Sequence, residues 1–237
     1  MAVEEQKRDI AFASRILADL EILDAFGHVS ARDARQPDAF LMSRSLAPKL
    51  VRDGDVLKFD FDGRARSHSG TRLFLERFLH AEIYRSRPDV QAIVHSHAPS
   101  VLPFTVSRTE KLVPVSHLCG FLHGLPEVFD LADQFGPDTN LLISDAQRGK
   151  SLAAHMRDAS VILMRGHGFT VIGQTIQQAT FRAYYLSRNC EAQWMARQLG
   201  EVVSLSAAEA RACEEATNSQ SSRAWDLWVS DLQTRER

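Results

Sequence analysis

The stretch Gln91-Ala-Ile-Val-His-Ser-His97 constrains the fold more than any other part of this chain. Ala92, Ile93 and Val94 make a short apolar run of the kind found in strands buried on both faces. His95 and His97 follow at its end. Side chains two apart on a strand point to the same side, so the two imidazoles are aimed at one place. Such a pair can deliver two nitrogen ligands to a metal ion. It can also be two packing or surface histidines, and the rest of the chain has to separate these readings.

Around that stretch the pattern mixes strands and helices. Ile10, Ala13 or Ser14, Leu17, Leu20 and Leu23 are spaced as one face of a helix over about residues 4–23. Alternation then predicts strands at 28–32, 39–42 and 56–61, with turns at Asp53-Gly54 and Asp62-Gly63. Thr71 is a plausible N-cap for a helix over about 72–87, closed by Pro88. A short helix from Pro99 to about 104, a strand at 113–118 and a helix at 147–156 follow. Strands at 159–164 and 169–172 and a long helix at 177–199 complete the body. Mixed apolar content in that helix, Trp194 included, predicts burial on more than one side. A helical tail starts at about 204, and its Trp225, Leu227, Trp228 and Leu232 need cover from the chain's own body or from a neighbouring subunit. Consecutive hairpins without a glycine-rich nucleotide loop argue against a dinucleotide fold and for a central sheet flanked by helices on both faces. Residues 1–237 are read as one domain.

Composition removes several function classes. Lys plus Arg is 28 and Asp plus Glu is 30, a net charge of −2. Nothing in that balance suggests capture of nucleic acid or of an anionic membrane. Three cysteines, Cys119, Cys190 and Cys213, are odd in number and far apart, which fits a reducing cytoplasm. No secretory signal or membrane span is visible.

Arg165-Gly-His-Gly168 is the second chemical signal. A histidine bracketed by glycines at a strand end sits where the backbone can bend sharply and nothing blocks approach. Glu76 shares a predicted helix face with His80 at i and i+4, although it could simply pair with Arg72 at the surface. Together, three histidines and one carboxylate suit a borderline divalent ion such as Zn²⁺, Mn²⁺ or Fe²⁺, and not Ca²⁺ or Mg²⁺. His117 and His123 are read as packing or solvated residues.

Glu76-x-x-x-His80, Ile83-Tyr84, Arg87-Pro88-Asp89-Val90, His95-Ser96-His97 and Arg165-Gly166-His167-Gly168 resemble the signature series of the class II aldolase/adducin family. The likeness runs from the first helix to about Leu199. It implies a three-layer α/β/α fold around a mixed, mainly antiparallel sheet. It also implies a homotetramer with active sites at subunit contacts. His95, His97 and His167 match the family's metal ligands, and Glu76 matches the acidic residue that both ligates the resting ion and acts as general acid/base. The departures point to one branch. Sugar-phosphate aldolases of the family carry Gly-Asn-(Ile/Leu)-Ser, Thr-Pro-Ser-Gly and a Ser-Ser pair, where this chain has Gly27-His-Val-Ser30, Met42-Ser-Arg-Ser45 and Leu73-Phe-Leu75. Small residues with free N–H groups can wrap a phosphate, and bulky ones obstruct it. Arg44 and His28 instead suit a planar carboxylate. These replacements resemble the decarboxylase branch, which acts on hydroxylated aromatic dicarboxylates. Implied substrates are 3-hydroxy-2-methylpyridine-4,5-dicarboxylate, from vitamin B6 breakdown, or a dihydroxyphthalate, with Mn²⁺ favoured and Zn²⁺ possible. In this reading Arg44, with Ser30 and Ser43, contacts substrate, and His28 is a second catalytic candidate beside Glu76, as proton donor or carboxylate holder. A sugar-phosphate aldolase or epimerase, and a non-catalytic adducin-like scaffold, are the alternatives.

Overall fold

The computed structural model describes residues 3–66 and 70–235. Seven strands form one sheet: β1 (His28–Arg32), β2 (Ala39–Ser43), β3 (Val56–Asp60), β4 (Ala65–Arg66), β5 (Ala92–Ser96), β6 (Val161–Met164) and β7 (Gly168–Gly173). Their order is β4-β3-β2-β1-β5-β7-β6, which puts the histidine-bearing β5 inside the sheet. Every strand pairing is antiparallel. Among the described residues the one parallel contact is an isolated bridge, Phe129 to Met164. The expected mainly antiparallel sheet therefore forms, and all its strand pairings are antiparallel.

Alternation sorts side chains between two cores. Val29, Leu41, Val94 and Val171 face a layer containing α1 (Val3–Asp19), α6 (Ile176–Leu199) and α8 (Ser221–Arg235). Phe40, Met42, Ile93 and Ile172 face α2 (Arg77–Ser86) and α5 (Ala146–Met156), between which the chain makes two short helices, α3 (Leu102–Val106) and α4 (Leu131–Phe135). His95, two residues after Ile93, therefore lies on the α2 side. On β1 the same side carries His28, Ser30 and Arg32, three polar residues in a buried row. Arg32 is satisfied by carbonyl oxygens of Val90, Pro37, Tyr84 and Arg87.

Several expectations change for identifiable reasons. The first helix stops at Asp19 rather than Leu23. The expected strand at 113–118 does not form. Its backbone is instead bonded by two amide side chains of α6: Gln193 Oε1 accepts from Val113 N, and Asn189 bonds Val115 N and Val113 O. Spaced four apart on one helix face, they stand in for a neighbouring strand. The helix expected from Arg72 begins at Arg77, because Arg72 O is spent on Ser45 N and Phe74 O on the Arg77 guanidinium. Trp194 is 59% exposed rather than buried. The tail, α7 (Ala207–Thr217) followed by α8, folds back on the body, burying Trp225, Trp228 and Leu232, with the Trp228 ring 5.3 Å from that of Tyr184. All three cysteines are free. Among the described residues no helix is long and apolar enough to cross a membrane.

Candidate metal centre

Four side chains from three regions meet at the end of β5. His95 is on the strand and His97 lies one residue past it. His167 sits in the turn between β6 and β7, and Glu76 immediately precedes α2. His97 Nε2 stands 3.0 Å from His95 Nε2 and 3.0 Å from His167 Nε2. Glu76 Oε2 lies 3.5 Å from His95 Nε2 and 3.3 Å from His167 Nε2. All four donor atoms fall within 4.8 Å of one another. Ligands held about 2.0–2.2 Å from one ion are separated by roughly 2.8–3.6 Å along the edges of an octahedron or tetrahedron. The observed spacings match, so the residues fit a divalent cation.

Outer partners fix the direction of these donors. His167 Nδ1 donates to Leu141 O at 2.8 Å, which leaves the Nε2 lone pair facing inward. His95 Nδ1 is 3.1 Å from Thr170 Oγ1, its cross-strand neighbour, and that hydroxyl turns toward Met164 Sδ. Glu76 Oε1 accepts from Ile143 N at 3.0 Å, leaving Oε2 for the centre. Leu141 and Ile143 belong to one loop, and Leu141 adopts φ +63°, uncommon for leucine. This loop was silent in the sequence, since it has no periodicity and acts through its backbone. Thr170 could have been found from strand register, two residues past Gly168 on the face of His95.

Burial, together with the charges of His95 and His167, pushes His97 down to about 3. Burial also lowers His95, against the pull of Glu76. Burial alone would lower His167, but the Glu76 carboxylate outweighs it and holds the ring above its ordinary value. Glu76 is the converse case: burial favours protonation, while hydrogen bonds to His167 and His95 prevail and keep it ionised.

One glycine is required here. Gly168 has φ +152°, and a Cβ on it would stand 2.1 Å from Ser96 O. That close approach lets β7 start against the end of β5 and brings His167 to His97. Gly168→Ala is expected to cost about 2–4 kcal/mol in stability. It should also lower metal content, and thermal unfolding with metal analysis on the same samples would check both; an unchanged melting temperature refutes this.

The other expected site residues are distributed unequally. His28 pairs directly with His95 across the sheet, with ring centroids 5.0 Å apart, and packs on Phe74 at 4.7 Å. Arg44 comes two residues after Met42, the partner of Ser30, so alternation returns it to the face of His28. Its Nε bonds Asp55 Oδ1 at 2.7 Å, which fixes the guanidinium and uses part of its donor capacity. Ser43 is not brought to the centre: it shares the opposite face with Leu41, toward α1. Ser30 is fully buried, bonded to His80 Nδ1 at 2.7 Å and Tyr84 Oη at 2.8 Å. His80, expected beside Glu76, turns instead to His28, with 2.7 Å between His80 Nε2 and His28 Nδ1. Burial pushes both rings well below the ordinary histidine value, so they are neutral.

An antiparallel sheet between helical layers thus gathers three histidines and a glutamate at one strand end, a donor set that could hold a divalent ion. The model for the Class II Aldolase and Adducin N-terminal domain matches residues 8–194, and the chain belongs to that family. It is 35% identical to Decarboxylase tropJ of Talaromyces stipitatus, over 92% of this chain and 91% of the relative. It is 27% identical to the 3,4-dihydroxyphthalate decarboxylase of Rhodococcus jostii, over 76% of each. Among solved structures, L-fuculose 1-phosphate aldolase from Glaciozyma antarctica superposes with a TM-score of 0.79 at 23% identity, covering 98% of this chain and 91% of that one. The protein is a lyase of this family.

Proposed function

We propose that the protein is a divalent-metal-dependent decarboxylase of an ortho-hydroxy aromatic dicarboxylate. Its substrate would be 3-hydroxy-2-methylpyridine-4,5-dicarboxylate or a dihydroxyphthalate, and its metal Mn²⁺, with Zn²⁺ an acceptable substitute. The observation that carries this reading is the convergence of Glu76, His95, His97 and His167 beside His28 and Phe74. In that neighbourhood a sugar-phosphate site would need small residues and open backbone N–H groups. The decarboxylase names among the relatives support the same reaction class.

Glu76, His95, His97 and His167 would hold the ion, which supplies Lewis-acid stabilisation of the negative charge left when CO₂ departs. The rest falls to the chain's own groups. Glu76 Oε2, ionised at rest, accepts the ring hydroxyl proton as substrate enters and delivers it to the ring carbon bearing the carboxyl group. The C–C bond then breaks, its electron pair returns to the ring oxygen as aromaticity is restored, and CO₂ leaves. The proton count balances without a co-reactant. Phe74, packed against the His28 ring, offers an apolar wall for the substrate ring. Arg44 and His28 orient the carboxylate that is retained.

The test pairs metal analysis with CO₂ release from a substrate panel. CO₂ is expected from ortho-hydroxy pyridine or benzene dicarboxylates and not from the same rings lacking the hydroxyl. Cleavage of fuculose-type phosphates with no CO₂ from any aromatic acid overturns the reading.

A further inference from the structure

A sealed polar chain leads away from the metal centre: His28 Nδ1 to His80 Nε2 at 2.7 Å, His80 Nδ1 to Ser30 Oγ at 2.7 Å, Ser30 Oγ to Tyr84 Oη at 2.8 Å. Ser30 and His80 are fully buried and Tyr84 is nearly so. Resting on the decarboxylase reading, we propose that His28 is a fixed, neutral hydrogen-bond donor to substrate, its proton held on Nε2 by the positioning residues Tyr84, Ser30 and His80. It is not the group that gives up a proton.

The direction of the chain follows from counting donors. In a sealed site each O–H and N–H needs an acceptor. Tyr84 Oη has no hydrogen-bond partner except Ser30 among the described residues. Were Ser30 to donate to Tyr84, the phenolic proton would be stranded in a buried aromatic layer beside Phe40 and Phe61. Tyr84 therefore donates to Ser30, and Ser30 donates to His80 Nδ1. Because its Nδ1 accepts from Ser30, His80 carries its proton on Nε2 and donates it to His28 Nδ1. Because its Nδ1 accepts in turn, His28 carries its proton on Nε2, which bonds to no described residue and is left for a ligand. In this arrangement every donor but the His28 Nε2 proton, which faces the site, is satisfied within the chain, and in the reverse one the sealed phenol is left without an acceptor.

The far end explains why His28 keeps its proton. Recharging His28 through the chain would shift each proton by one bond and end on a Tyr84 phenolate. Burial raises the Tyr84 phenol above its ordinary value, so that shift is opposed. The chain orients a donor and supplies no acid. Proton delivery stays with Glu76, while the His28 N–H holds the retained carboxylate or the developing ring oxyanion.

Long-range ¹H–¹⁵N spectra of zinc-loaded protein labelled at histidine test this directly, with His28 assigned from the His28→Gln variant. Both His28 and His80 are expected to carry the proton on Nε2, with Nδ1 bare. A His28 protonated on Nδ1 overturns the proposal whether or not the protein decarboxylates anything. Kinetics give a second readout. His80→Leu should lower kcat about 10–100-fold, the usual range for losing an outer hydrogen-bond partner, with metal content and KM little changed. His80→Gln, whose amide N–H can stand where His80 Nε2 does, should recover most of the loss. Native kcat in a folded, metal-loaded His80→Leu variant also overturns the proposal. Absence of any CO₂ release by the native protein speaks against the decarboxylase reading alone, because the spectra still decide the tautomer.

Discussion

His97→Ala is expected to yield a folded protein that retains no divalent ion and releases CO₂ at the background rate. His97 is the hub of the centre, since its Nε2 is the atom 3.0 Å from both other ligand nitrogens. Its removal leaves two histidines and a carboxylate whose remaining contacts are at 3.3 and 3.5 Å. Losing the ion removes several kcal/mol of charge stabilisation in the transition state, hence at least about a thousandfold in rate. Folding should survive because His97 lies beyond the last residue of β5 and is only half-buried. The same substitution at His95, fully buried and bonded to Thr170, risks the sheet itself. Metal per protein by elemental analysis, circular dichroism and CO₂ release should be measured together. Full activity in a metal-free His97→Ala protein would end the metal-dependent reading.

The centre was legible in the sequence wherever chemistry coincided with a strand end. His95 and His97 follow a clear apolar strand, and His167 is bracketed by glycines that the close passage of β7 demands. Legibility failed where side chains replaced backbone partners. The segment at 113–115 has the composition of a strand, but Asn189 and Gln193 take its hydrogen bonds from a helix 74 to 80 residues away in sequence. Ser43 is grouped with Arg44 as a substrate contact in the sequence reading, yet odd and even positions of β2 face different cores, so the two neighbours part. Glu76 and His80 were placed on one helix face. The chain instead starts the helix after Glu76, leaving the carboxylate for Ile143 and the histidines and freeing His80 for His28. In each case the deciding partner is remote in sequence, and local periodicity carries no information about it.

Glu76→Gln is expected to separate the two roles that the proposed mechanism gives to one carboxylate. The amide oxygen can keep the bond from Ile143 N that Oε1 now makes, so the local backbone should hold. The amide nitrogen replaces Oε2, turning an anionic acceptor beside His95 and His167 into a neutral donor. Metal affinity should fall for that reason alone, and measurements belong at saturating Mn²⁺ or Zn²⁺, where occupancy matches the native protein. Under those conditions substrate binding should persist, because Arg44, His28 and Phe74 are untouched. Turnover should remain about 10²–10⁴-fold lower, since an amide cannot collect the ring hydroxyl proton and hand it to carbon. A solvent-exchange readout sharpens the result: residual product formed in D₂O should still carry deuterium at the vacated carbon, at a rate now set by water as the donor. Native turnover restored simply by added metal would make Glu76 a ligand and nothing more, and the proton path would then have to be sought elsewhere along the same face.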